Sequence, residues 1–226
     1  MDGRAAVRLG GIFGLLAVVV MIPAYLVGYP DAPGSPEEAS AYFGAGQGTF
    51  VFFNGVLPLF HTFFFILFLG VLYGVLRGAG DDARGVGGVG LPAAALAGGI
   101  VFAALSAAGF AVEILFPAAL QRFGVFEPDA AFVLVSLTLS SWLYHFCQVG
   151  ASAMVLATSL VGLETGVLPR WLILAGLVVA LLTLLHFLVP LVAALVGLLW
   201  IAAVSVLMLT GGVGPRGGAR RRTVQR

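Results

Sequence analysis

The hydrophobic positions of this chain do not alternate with polar ones. They run in long blocks separated by short polar clusters, covering residues 9–28, 49–76, 91–116, 131–163, 171–188 and 191–210. A helix rises ~1.5 Å per residue, so about 20 residues cross ~30 Å of hydrocarbon. Each block is therefore expected to form one membrane-spanning helix. Block 131–163 is too long for one upright crossing and too short for two, which predicts a single tilted helix. The stretch from Trp171 to Thr210 suits two helices with a tight turn at residues 187–191, where Pro190 acts as the breaker. Pro23 and Pro58 fall inside the first two blocks, and each is expected to kink its helix by removing a backbone donor.

The polar clusters set an orientation. With the N-terminus in the cytoplasm, Arg4, Arg8, Arg77, Arg84, Arg170 and the tail arginines Arg216, Arg220, Arg221, Arg222 and Arg226 all fall inside. Of the eleven basic residues, only Arg122 falls outside. Such an imbalance orients membrane helices, and an odd number of crossings would spoil it. The expected fold is an all-α integral membrane protein, a six-helix transmembrane bundle with both termini cytoplasmic. Residues 1–226 make one such domain, and residues 211–226 its basic cytoplasmic tail.

Composition sharpens this reading. Hydrophobic residues make up 61% of the chain and charged residues 9%, where soluble domains carry about 25% charge. Lipid is the expected solvent and the first partner. The net charge of +1 argues against a nucleic-acid partner. Every basic residue is arginine, and with the abundance of Gly and Ala this suggests a bacterial plasma-membrane protein. The absence of lysine excludes a retinal Schiff base. The single cysteine, Cys147, excludes an intrachain disulfide. The first apolar block is longer than a signal-peptide core, so it is expected to be retained.

Close packing must hold such a bundle together, because lipid removes the hydrophobic drive between helices. The third block carries small residues at every fourth position, at Ala95, Gly99, Ala103, Ala107 and Ala111. The second ends in Gly70, Gly74 and Gly78 at the same spacing, so these two ridges are expected to meet. Gly10 and Gly14 offer a weaker contact. A homodimer or a partner within a membrane complex is a further use for such ridges.

The candidate chemistry is confined to a few polar groups inside the blocks. Thr138, Ser141, His145, Gln148, Ser152 and Ser159 recur at helical spacing and share one face of the fourth block. Asn54 and His61, seven residues apart, share a face of the second. Polar stripes in hydrocarbon must turn inward. The expected ligand-binding set is Asn54, His61, Ser141, His145, Gln148 and Ser152. Glu113 and His186 lie toward the outer boundary and are expected to pair there. The plain alternative is that these groups only tie helices together, at about 0.6 kcal/mol per hydrogen bond.

His61 and His145 fall at similar depth on different helices, the arrangement that axial haem ligation needs. No covalent haem-attachment motif is present. A zinc or copper site would need further ligands at matched depth, so no metal site is expected. Phosphate-binding loops with lysine, HExxH and GxSxG are absent. Asp81 with Asp82 and Glu37 with Glu38 read as solvated turns. An enzyme is therefore not the expected class. The expected function is a carrier or sensor of a small ligand or protons through a polar bundle interior. A haem redox protein and a structural or assembly subunit are the alternatives.

The segment TGVLPRWLILAGLVVALL, from Thr165, resembles a family of uncharacterised bacterial multi-pass membrane proteins. In that family a cytoplasmic turn ending in Pro-Arg leads into a helix with Trp and Gly, matched here by Leu168, Pro169, Arg170, Trp171 and Gly176. RLGGIFGLL and GFAVEIL, which contains Glu113, are loosely similar too. The resemblance implies a multi-helix membrane architecture over the whole chain and carries no activity with it.

Overall fold

The computed structural model describes residues 2–26, 35, 38, 47–82, 87–124 and 130–213. Glu37, Arg84 and the tail arginines lie outside the described residues. Among the described residues the regular structure is entirely helical. Helix α1 is Gly3–Leu26. Helix α2 joins Gln47–Val51, a π-helical turn Phe52–Val56 and Leu57–Asp82. Helix α3 is Gly87–Glu113, α4 is Leu115–Phe123 and α5 is Ala130–Thr165. Helix α6 is Arg170–Leu184, followed by a 3-10 turn His186–Leu188 and by α7, Pro190–Thr210.

Five of these helices are long and apolar enough to cross a membrane: those spanning α1, α2, α3, α5 and α7. Helix α6 has 15 residues, about 22 Å of rise, and ends before the expected boundary at residue 188. His186 lies beyond it, in the 3-10 turn. Helix α5 runs unbroken for 36 residues. Helix α4 is an element that the block pattern did not predict. It begins after a break at Ile114 and buries Phe116 and Pro117. Phe116 packs with Val133, Phe50, Leu134 and Leu137, so α4 covers one end of the bundle.

The six longer helices form a closed ring in the order α1, α2, α3, α5, α6, α7 and back to α1. Neighbours run antiparallel. Gly14 of α1 faces Phe68 of α2 and Gly10 faces Val71, while Gly98 of α3 meets Gly150 of α5 and Gly109 meets Ser140. One end of the ring therefore carries the start of α1 with Arg4 and Arg8, the last turns of α2 with Arg77, and Arg170 at the start of α6. Arg122 belongs to the other end.

Small residues set the tightest contacts. A methyl group on Gly98 would fall 2.7 Å from the Gly150 carbonyl oxygen, and one on Gly150 would fall 2.7 Å from that of Gly98. Backbones this close are what joins α3 to α5 without a hydrophobic drive. Gly10, Gly11 and Gly14 bring α1 against Val71, Phe68, Ser205 and Met208, so this contact is a principal one. The expected meeting of two small-residue ridges is not what forms. Gly70, Gly74 and Gly78 have open space where a side chain would stand. Gly99 packs on Leu69, on the other face of α2. The glycine face of α2 points outward because Phe65, Phe68, Leu72 and Leu76 fill the interior and are almost wholly buried.

The proline at position 58 acts through the turn before it. Leu57 donates its N–H to the Phe52 carbonyl, a five-residue reach instead of four. In a regular helix the Pro58 ring would press on the Asn54 carbonyl. The wider turn relieves that clash, as π-bulges do inside long helices. At the far end of α5 the chain turns through Gly166, whose φ of 68° suits glycine. Extended Pro169 then starts α6.

Candidate functional site

Two neighbouring cavities follow one another along the bundle, the larger one open to its surroundings at Ser141, Pro190 and Leu191. The outer one, about 390 Å³, is bounded by α3, α5 and the start of α7. Its apolar wall includes Phe110, Leu137 and Leu191, and its polar groups are Ser106, Glu113, Ser140, Ser141 and Tyr144. This volume is in the range of small-molecule sites. The inner cavity, about 40 Å³, touches all six long helices, and its polar lining is His61, Ser106, Gln148 and Thr183. Ser106 and Ala194 line both.

Helix periodicity builds the outer cavity. Ser106, Gly109 and Glu113 follow at three and four residues on α3, as do Leu137, Ser140, Ser141 and Tyr144 on α5. The Ser140 hydroxyl donates to the Gly109 carbonyl at 3.0 Å and ties the two walls. The Tyr144 hydroxyl donates to the Pro190 carbonyl at 3.3 Å, reaching the third wall. Among the described residues no cation pairs with the Glu113 carboxylate.

His61 defines the inner cavity. Its Nδ1 lies 2.9 Å from the Ala17 carbonyl oxygen of α1. A carbonyl only accepts, so Nδ1 carries the proton and Nε2 of the neutral ring keeps its lone pair. The ring stacks on Phe65 at 5.9 Å and meets Phe102 edge-on at 6.3 Å. Gln148, buried opposite, has one contact from its amide nitrogen, 3.9 Å from the Cys147 sulfur.

His145 and His186 form a separate pair. His186 Nδ1 donates to the Thr183 carbonyl at 2.9 Å, so its Nε2 accepts. His145 Nδ1 lies 2.6 Å from that nitrogen and donates to it. Both nitrogens of His186 are thereby occupied, and the expected pairing of His186 with Glu113 gives way to this one. The contact links α5 to the turn between α6 and α7.

The polar stripe on α5 thus divides by depth. Ser141 lines the outer cavity and Gln148 the inner one. Ser152 donates to the Ala180 carbonyl of α6 at 2.7 Å. Thr138 and Ser159 turn back onto their own helix, to Leu134 and Val155. Asn54 lines neither cavity. The π turn adds a residue to the register between positions 54 and 61 and takes Asn54 off the face of His61. Its amide nitrogen donates to the Phe50 carbonyl at 3.3 Å, and its oxygen is buried without a partner. Ser106, Ser140, Tyr144 and Thr183 join the site unforeseen. The spacing of seven between Ser106 and Glu113 carried the same signal as that between Asn54 and His61.

His61 and His145 do not line a common cavity. The space in front of His61 is about 40 Å³, far below the bulk of a porphyrin, and His145 does not line it. Among the described residues no three His, Cys, Asp or Glu side chains gather as a metal centre. No protein-family model, curated protein or solved structure matches the chain.

Proposed function

We propose that this chain is a six-span protein of a bacterial plasma membrane, with both termini cytoplasmic. We read it as a carrier or sensor that binds a small amphiphilic ligand in the outer cavity. The observation that carries this reading is the unpaired Glu113 carboxylate, set among hydroxyls inside an otherwise apolar cavity. A ligand with an apolar body and a cationic or hydrogen-bonding head complements that lining. The gathering of Arg4, Arg8, Arg77 and Arg170 at the opposite end supports placing the cavity on the outer side. Residues 185–189 extend the reach of α6, which supports counting it as the sixth crossing. Exposed Phe60, Phe63, Val178 and Leu199 around the ring are suited to lipid contact.

Hydrophobic carbodiimides modify carboxyl groups in apolar sites, and this gives the test. In native membranes Glu113 is expected to be modified, as read by peptide mass spectrometry. Octylammonium or octanol is expected to slow the reaction by occupying the cavity, and Glu113→Gln removes the modification. Protection by neither probe, or no modification of Glu113, would overturn the ligand reading.

A further inference from the structure

His61 sits at the only place where all six long helices meet one cavity among those described. One ring nitrogen is committed to Ala17, the other has no partner in the chain, and the residue lines the cavity. About 10–15 Å³ of such space holds one water molecule, so 40 Å³ holds roughly three or four. A buried water needs two to four polar partners. The His61 imidazole, the Gln148 amide and the Ser106 hydroxyl supply them, and Gln148 is 3% exposed, with the Cys147 sulfur at 3.9 Å as the one partner of its amide nitrogen in the chain.

The two directions away from His61 differ sharply. Toward the outer end, Ser106 and Ala194 are shared with the 390 Å³ cavity that holds Glu113. Toward the arginine end, Phe65, Phe68, Leu72 and Leu76 follow on α2, each at most 1% exposed, with Val204 and Met208 of α7 buried among the same core. Buried polar groups are present in that half too: Ser159 and Ser205 are bonded to their own helices, while the Thr158 hydroxyl and the Trp200 indole N–H have no partner.

We infer that His61 is a proton-binding site at the end of a short water file, reached through the neck at Ser106 from the outer cavity, with the bulky side chains of α2 packed between it and the arginine end. A proton arriving along the waters binds the Nε2 lone pair, and the Nδ1–H bond to Ala17 stays in place in both forms. The imidazolium then donates to water or to the Gln148 carbonyl oxygen. No other titratable side chain lines this cavity. From α1 it meets Ala17 and Met21, from α3 Phe102 and Ser106, from α6 Thr183, and from α7 apolar residues only. The titratable groups on adjoining surfaces are Cys147, against Gln148; His186, bonded to the Thr183 carbonyl, with His145 behind it; and Glu113 and Tyr144 in the outer cavity.

The test uses the full chain in lipid bilayers with 15N-labelled histidine, the His61 signal being assigned with His61→Gln. Water-edited solid-state NMR is expected to transfer magnetisation from water to the His61 ring. The ring is expected to change from the Nδ1–H tautomer to the doubly protonated form as pH falls from about 8 to 4. Ser106→Leu, which fills the neck, is expected to suppress the water transfer at least several-fold. The signals of the His145–His186 pair should stay unchanged and report an intact fold. A dry His61 ring, or one neutral throughout, would overturn the assignment. Water transfer undiminished in Ser106→Leu would overturn the route. Neither result bears on carbodiimide protection at Glu113, so this inference and the ligand reading fail separately.

Discussion

At the scale of single residues, the polar groups of the interior fall into two classes with different expected responses to substitution. Ser152 is satisfied across the α5–α6 contact by the Ala180 carbonyl. Ser152→Ala should lose about 0.6 kcal/mol, the average for a hydrogen bond between membrane helices. Gln148 is buried, and its amide nitrogen meets only the neighbouring Cys147 sulfur, at 3.9 Å. Gln148→Leu should lose less than Ser152→Ala, because Gln148 ties no two helices together and gives up only its contact with Cys147 and with the waters of the small cavity. Reversible unfolding in mixed micelles distinguishes the two; a loss at Gln148 larger than at Ser152 would contradict the assignment. The histidine pair gives a third case. His145→Ala and His186→Ala should be non-additive in a double-mutant cycle, since each residue is the other's hydrogen-bond partner. Additive losses would mean that the 2.6 Å contact contributes nothing.

At the scale of elements, glycines divide by what stands opposite them. Gly98→Val forces α3 and α5 apart, because even a methyl group there meets the Gly150 carbonyl and the Met154 nitrogen at 2.7 Å. Overpacking of this kind typically loses about 1–3 kcal/mol. Gly74→Val should change thermal stability in detergent little, because nothing faces that position. Equal losses at the two sites would contradict the packing. Both glycines sit in four-residue spacings of small residues, and the spacing alone could not separate them. What separates them is which face of α2 the bulky Phe65, Phe68 and Leu72 claim. The π turn has the same character. Pro58 announces a disturbance, but whether the helix kinks or widens depends on the room made by Gly55 against Ile114. The consequence for Asn54 followed from that and was not readable from a spacing of seven.

At the scale of the whole molecule, the helical blocks, the turn at Pro190 and the inward placement of His61, Gln148 and Ser152 were legible, because length, breakers and helical period are local properties. The closure of six helices into a ring was not, since it depends on pairings between distant segments such as α1 with α7. Without the ring, Glu113 and His186 looked like neighbours at one depth. With it, Glu113 turns into the outer cavity, and His186 is held by His145 at the side of α5. The ring also sets the polar mouth apart from the bulky core below His61, where Phe65, Phe68, Leu72 and Leu76 are packed, and both functional readings start from the mouth.

The claim common to all of this is a ring whose polar mouth faces outward, opposite the arginine end. Thiol accessibility in intact cells tests it most directly. Cys147 is buried and is replaced by Ala first, and single cysteines are then placed by Ser141→Cys in the mouth and Glu164→Cys at the exposed end of α5. A membrane-impermeant maleimide is expected to label the Ser141→Cys protein in intact cells and the Glu164→Cys protein only after permeabilisation. Labelling of both from the same side, or of the Ser141→Cys protein only after permeabilisation, would contradict the account.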